Sequence, residues 1–443
     1  MALDNEELNK RREERAKRRE QRQQRKEKLQ LISLIVIAVF LVIAIVAVLV
    51  VYLGGFTPSL PQPGETQIQT QPPETTLPPE TEPPQTEPQE TLPPDTVIHV
   101  VAGGDLNITD KVVAAGQKED GYDYSQCFID VLPVLSAGDV TILNFEGTIS
   151  GEPFGSKRRS APHQLLQALD RAGVDLLQTA NSQSVTNSQL GLVSTLNAIR
   201  AAGMEPVGTF ASSAEFKKSG GFTMLEVQGI RIAVVAFTKG MDGRGLPEGT
   251  ESCVNLLYTD YNSYYRNINT DGIKKILKEV KKEEPDITIA LLHWGKELND
   301  EISKTQKSIV TLMQENGVNA IIGTHPHYVQ QMTFDPETGN FVAYSLGDFF
   351  GDRAHSGTEY SVLLDLQITR NGVTGEVSIT GFDYTPLFLV DDTQTGGTLR
   401  VLRLKEAMES YESHFLGCVS KDVYEDMKHA MERIEARIHA KVK

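Results

Sequence analysis

Residues 320–327 read AIIGTHPH: a short β-branched run, a glycine, then two histidines held apart by a proline. A nearly continuous apolar run bounded by turn residues is the pattern of a strand covered on both faces. The same pattern recurs at VIHVVAG (97–103), VTILNF (140–145), DLLQTA (175–180), IRIAVVAF (230–237), DITIALL (286–292) and FVAYSL (341–346). Between these runs, QLLQALDRA (164–172) and QLGLVSTLNAIRAA (189–202) space their apolar residues by three and four and stop at Gly173 and Gly203. Both are helices by that spacing and those stops. Runs of this kind alternating with helices predict a sheet-rich, layered α/β domain over 97–390. Residues 381–400 read as loop. The remainder, 391–443, reads as a helical extension whose apolar stripe is Val423, Tyr424, Met427, Ala430, Met431, Ile434 and Ile438.

The apolar runs end in residues that can bind metal or move protons: Asp105, Glu146, His293, His325 with His327, and Asp348. Open α/β sheets place their ligand sites beyond the carboxyl ends of strands, so these groups are expected to converge. Carboxylates with neutral imidazoles suit Mn, Fe or Zn, and one or two such ions would clamp a phosphate or activate water. Taken singly, most of these residues have ordinary explanations. Asp105 could be a turn acid, Glu146 a surface acid and Asp348 a turn cap. His293 could pack against Trp294, the only tryptophan. Two imidazoles fixed around one proline rarely serve packing alone. Lys157, Arg158 and Arg159 form a basic edge, either solvated or anion-binding, with Arg158 and Arg159 the candidates for the latter.

The N-terminal quarter has a different character. Residues 31–53 are 23 uncharged residues, enough for a helix to span a bilayer core of ~30 Å, so they predict a membrane anchor. Residues 1–30 carry 11 Lys and Arg against 7 Asp and Glu, which places them in the cytoplasm and the main domain outside. Residues 54–96 hold 12 of the 21 prolines and 7 acids with no Lys or Arg, the composition of an extended polyproline stalk. The net charge of −16, mostly on the main domain, excludes a general nucleic-acid binder. Three scattered cysteines, Cys127, Cys253 and Cys418, suggest buried thiols, or one disulfide with a spare thiol.

The ordered motifs GGD (103–105), NFEG (144–147), TANSQ (179–183), HWGKE (293–297), GTHPH (323–327) and YSLGDF (344–349) resemble the capsule-synthesis CapA family. That family is also called poly-γ-glutamate synthesis proteins and is related to calcineurin-like metallophosphatases. The resemblance implies a four-layer αββα metallophosphatase-like domain behind an anchor and stalk, on a Gram-positive cell surface. It also implies a metal site of Asp105, Glu146, His293, His325 and His327, with Asn181 and Asp348 as further candidates. The implied partners are an anionic cell-surface polymer or a phosphoester substrate, and a capsule-synthesis complex.

One loop departs from the family's A-N-N-H-x-x-D-x-G pattern. Here Ser182 stands in place of an amide ligand, and Gln183 in place of the histidine expected to protonate a leaving group. Asp348 also stands where the family commonly has Asn. Glutamine cannot act as a general acid. Two expectations follow. One is a metal-dependent hydrolase or transferase acting in capsule or poly-γ-glutamate synthesis. The other is a degenerate member that binds polymer or partner proteins without turnover.

Overall fold

Each apolar run contributes a strand. In chain order the strands begin with β1 (Thr96–Asn107), β2 (Gln117–Lys118), β3 (Gly121–Tyr122), β4 (Val140–Glu146), β5 (Leu176–Gln178), β6 (Glu205–Val207), β7 (Thr223–Val227) and β8 (Ile230–Thr238). They continue with β9 (Ile287–His293), β10 (Ala320–Thr324), β11 (Met332–Asp335), β12 (Asn340–Ala343), β13 (Asp348–Phe350), β14 (Tyr360–Arg370), β15 (Val377–Asp391) and β16 (Leu399–Arg403). The helices are α1 (Asp110–Gly116), α2 (Leu132–Leu135), α3 (Gln164–Ala172), α4 (Ser188–Ala201), α5 (Ser213–Ser219), α6 (Thr270–Lys282), α7 (Lys304–Glu315), α8 (Leu404–Glu412) and α9 (Lys421–Ile438). This computed structural model describes residues 93–393, 397–414, 417 and 419–439. The basic tail, the apolar run 31–53, most of 54–96 and Cys418 lie outside the described residues. Among the described residues, no helix is long and apolar enough to cross a membrane.

Two sheets carry the architecture. One runs β16-β15-β14-β1-β4-β5-β6 with β13 added beside β1, and the other runs β11-β12-β10-β9-β8-β7. β1, β4, β5 and β6 are parallel, as are β8, β9, β10 and β12. Alternate side chains along each strand go to opposite faces, and the core divides accordingly. Val100, Ala102, Ile142 and Leu176 of the first sheet share one cluster with Val234, Ala236, Ile289, Leu291 and Ile322 of the second. The intervening Val101, Leu143 and Leu177 pack with Val112, Leu135, Leu165 and Leu169 from α1, α2 and α3. On the far side, Val235, Ala290, Leu292 and Ile321 pack with Ile273, Leu277, Ile309 and Met313 from α6 and α7. The order through the domain is helices, sheet, sheet, helices. Central strands covered on both faces explain the unbroken apolar runs, each buried Val, Leu or Ile contributing roughly 1.5–3 kcal/mol.

Helix ends follow local chemistry. α3 stops at Gly173, where φ of +102° suits a residue without Cβ. α7 starts with a reciprocal capping box between Ser303 and Gln306. Among the described residues, Cys127 and Cys253 are buried free thiols.

The C-terminal part differs from expectation. The segment expected as loop at 381–400 contains most of β15 and the start of β16, both in the first sheet. The 391–443 extension therefore begins with a strand of the main sheet before its helices. Gly381 and Pro386 read as loop formers. In the fold, Gly381 lies at a register shift, and Pro386 falls one residue before β16 begins to pair at Leu387. Both positions tolerate a broken ladder. The helical stripe packs onto the domain: Met427, Ala430, Ile434 and Ile438 are buried in the inter-sheet cluster, and Val423, Tyr424 and Met431 pack against it.

At Gly104 the backbones of two segments of the first sheet come close together. Asp105 N donates to Gly347 O at 3.0 Å, and a Cβ on Gly104 would lie 1.7 Å from that oxygen. Gly104→Ala is expected to lower stability by about 3 kcal/mol, read by denaturant unfolding followed through the buried Trp294. Gly245→Ala, whose Cβ meets only an Asn262 side-chain atom at 3.7 Å, is the control and should change stability by less than about 0.5 kcal/mol.

Candidate metal centre

The parallel strands of both sheets end at the same place. Asp105 ends the core of β1 and pairs in register with Asp348 of β13. Asn144 and Glu146 are two apart on β4, hence on one face. His293 ends β9 opposite Thr324, which ends β10. The next residue but one to each histidine of the HPH turn is the other histidine, and both adopt left-handed backbone: φ is +93° at His325 and +59° at His327. Such conformations cost non-glycine residues on the order of 1–3 kcal/mol each and persist where function requires them. Trp294, one residue past His293, faces the outer cluster, where its indole donates to Tyr344 O at 2.9 Å. His293 is thereby left to the inner face, and the tryptophan is its prop.

Hydrogen bonds tie the ends together. His325 N donates to Asp105 Oδ2 at 3.0 Å, and Asn144 Nδ2 donates to Asp105 Oδ1. His327 Nδ1 lies 2.7 Å from Asp348 Oδ1 and 3.7 Å from Asp105 Oδ2. His293 Nε2 lies 3.6 Å from Glu146 Oε1 and 3.0 Å from Ser182 Oγ, while its Nδ1 lies 3.1 Å from Thr324 Oγ1. Both ring nitrogens of His293 are thus engaged, Nε2 by Ser182 and Nδ1 by Thr324 and by Asn144 Nδ2 at 3.3 Å. Lys239 Nζ sits 3.2 Å from His325 Nε2 and donates to Gly295 O at 2.8 Å.

Electrostatics at this junction are unbalanced. Burial raises the Asp105 carboxyl to about 6 and the Glu146 carboxyl to about 8. Burial also keeps His293 and His325 neutral, holding both well below the usual imidazole range. For His327 burial acts in the same sense, but Asp348, with help from Glu146 and Asp105, outweighs it and holds the pKa well above that range. At this junction two atoms, Glu146 Oε2 and His325 Nδ1, are buried with no hydrogen-bond partner among the described residues. Unpaired buried carboxylate and imidazole atoms are costly, and a divalent cation satisfies both kinds at once. The donor set fits: Glu146, His293 and His325 bring one ligand atom each within 4.8 Å of one another, as do Asp105, His327 and Asp348.

All five residues expected as ligands, Asp105, Glu146, His293, His325 and His327, come together here, and Asp348 joins them. Asn181 serves another role. Its Nδ2 donates to Asn144 Oδ1 and Phe145 O, and its Oδ1 accepts from Gln183 N, so it is a strut between loop and strand. Gln183 has both amide atoms engaged: Oε1 accepts from Thr186 and Nε2 donates to Asp242. Of the basic edge, Arg159 lines a cavity of about 390 Å³ together with Glu146, His327 and Asp348. Arg158 instead bonds Asn187 and Glu152 O.

Sequence reading missed Asn144 and Glu297. Glu297 Oε1 lies 4.0 Å from His325 Nδ1 and could complete a third ligand group with His325 and His327. Period-two spacing from Glu146 and the HWGKE motif were the available signals.

Glu146→Gln isolates the charge imbalance. Wild-type Glu146 ionises near pH 4.5 when unfolded but only near 8 when folded. Metal-free wild type therefore loses stability across that window as pH rises, and glutamine does not. In chelator, the stability of Glu146→Gln relative to wild type is expected to grow from pH 5 to 8. Added Mn²⁺ should raise the melting temperature of wild type and not of the variant.

Residues 99–353 match the family model described as bacterial capsule synthesis protein PGA_cap. The chain is 26% identical over 262 residues to the capsule biosynthesis protein CapA of Bacillus anthracis, covering 57% of this chain and 59% of that protein. It is 24% identical over 258 residues to the PGA biosynthesis protein CapA of Bacillus subtilis, covering 57% and 63%. The match thus spans about three fifths of the length of each relative. Among solved structures, calcineurin-like phosphoesterase YfkN of Bacillus subtilis aligns with TM-score 0.42 at 14% identity, covering 77% of this chain and all of that one. A phosphatase from Mycoplasma pneumoniae aligns with TM-score 0.39 at 17% identity, covering 66% and 94%. Likenesses that distant carry no functional weight. The family match is another matter: it takes in more than half of the residues and every strand end of the metal centre, and the chain belongs to the bacterial capsule synthesis protein family.

Proposed function

We propose that this protein acts outside the membrane in the synthesis of capsule or poly-γ-glutamate, as a metal-dependent hydrolase or transferase working on a cell-surface polymer or its phosphoester precursor. Its relatives' names support the process, and the metal centre supports the chemistry. The observation that carries the reading is the buried pair of unpartnered atoms, Glu146 Oε2 and His325 Nδ1, within a cluster of carboxylates and imidazoles. The helix–sheet–sheet–helix layering agrees with a metallophosphatase-like domain. In this reading residues 31–53 anchor the chain, 1–30 stay in the cytoplasm, and 54–96 hold the domain away from the bilayer.

Asp105, Glu146, His293, His325, His327 and Asp348 would hold one or two ions of Mn, Fe or Zn. Bound there, such ions supply Lewis acidity toward a phosphoryl or carbonyl oxygen. The chain's own residues do the rest. Asn144 orients Asp105, Thr324 and Ser182 fix the His293 ring, and Asn181 holds the 181–183 loop against β4. These side chains are buried, which strengthens every charge interaction among them.

Proton delivery is the weak link. Gln183 stands where a general acid is expected and has no ionisable proton, a specific observation that favours the second reading of binding without turnover. Restoring Gln183→His, alone and with Ser182→Asn, tests the point. In Mn²⁺, hydrolysis of bis(4-nitrophenyl) phosphate by the restored protein is expected to exceed wild type by roughly 10²–10⁴. No gain in metal-loaded protein would sink the catalytic reading of this loop and leave polymer or partner binding.

A further inference from the structure

Arg159 is fixed from two sides. Its backbone is left-handed, with φ of +48°, a conformation that costs a residue with a Cβ on the order of 1 kcal/mol or more. The 147–161 loop holds it there: Thr148 N donates to Arg159 O, Ala161 N to Thr148 O at 2.9 Å, and Gly155 N to Ser160 O at 2.8 Å. The side chain is tied separately to the end of β1, where Nη1 donates to Asn107 Oδ1 at 2.7 Å and to Ile108 O at 3.1 Å. Those two bonds use both hydrogens of Nη1. The Nε–Nη2 edge of the guanidinium makes no hydrogen bond or ion pair among the described residues.

Arg159 lines the cavity of about 390 Å³ beside the candidate metal centre, and it is the one Lys or Arg among the lining residues. Asp242, Glu297 and Asp352 also line it. An anion entering this cavity meets carboxylates on other walls; the charged His327 is already paired with Asp348, so Arg159 is the cation that offers an edge with no partner among the described residues. The Nε–Nη2 edge presents two parallel N–H groups, the geometry that pairs bidentately with a phosphate or carboxylate. An amine on a flexible stem cannot reproduce it.

We propose that Arg159 is the anion-binding residue of this site, taking a phosphate or carboxylate oxyanion of the substrate next to the group held by the carboxylate–histidine cluster. The identity of that neighbouring group rests on the proposed function; the anion site itself does not. Arg159 thereby sets which way an anionic substrate lies across the cluster, and selects substrates with a charged oxyanion beside the bond to be cleaved.

The test is calorimetric binding of inorganic phosphate and of glutarate to the full-length protein, in chelator and in Mn²⁺. Arg159→Gln keeps a side-chain donor for Asn107 while removing the charge, and Arg159→Lys keeps the charge while removing the fork. Melting temperature and metal content, unchanged from wild type, show that both variants are folded. Binding of at least one anion is expected to weaken by about 10-fold to 100-fold in Arg159→Gln, with Arg159→Lys in between. Loss confined to phosphate identifies a phosphoester, and loss shared by glutarate identifies a carboxylate-bearing polymer; both support the proposal. Equal binding of both anions by all three proteins, or no binding to wild type, overturns it. Protein that takes no metal but still binds anions through Arg159 refutes the metal-dependent function alone. Protein that takes metal while its anion binding ignores Arg159 refutes this inference alone.

Discussion

Three carboxylates and three imidazoles, Asp105, Glu146, Asp348, His293, His325 and His327, are buried where the parallel strands of two sheets end. Removing that much ionisable surface from water is favourable only if protons or cations balance it. Without a cation, Asp105 and Glu146 retain protons toward neutral pH, and Glu146 Oε2 and His325 Nδ1 remain unpaired. The fold accepts these costs, along with left-handed backbone at both histidines of the HPH turn. Concentrated instability of this kind marks a functional site, since the surrounding strands must over-determine it.

The over-determination is visible in particular contacts. β4 and β9 are buried along their whole length, so neither Glu146 nor His293 can move without its strand. Gly323 lets Tyr344 and Trp294 close behind the HPH turn, because a Cβ there would lie 2.0 Å from Tyr344 O. Asn181 and Asn144 couple the replaced loop to the ligands through a chain of side-chain amides. The Ser182-Gln183 replacement therefore alters the chemistry available beside the cluster while the frame that holds the cluster persists.

Much of this was legible in the sequence because strands covered on both faces read as unbroken apolar runs, and their last residues are the candidate ligands. The HPH pair was informative because packing seldom asks for two histidines around a proline. Other features depended on tertiary context. β15 was hidden by Gly381 and Pro386, the first absorbed at a register shift and the second just before pairing with β16 begins. Asn181 looked like a ligand from its motif, yet its amide is spent on Asn144, Phe145 and Gln183. Arg158 and Arg159 are adjacent and chemically identical, and only the loop's path turns one toward the cavity and the other toward Asn187.

The central claim is that a divalent metal balances the buried charge at the junction of the two sheets. Elemental analysis of the purified full-length protein, beside a His325→Ala/His327→Ala double variant, tests it most directly. The account predicts one or two equivalents of Mn, Fe or Zn in the wild type and their loss in the variant. Equal metal in both proteins, or none in either after reconstitution, would contradict it.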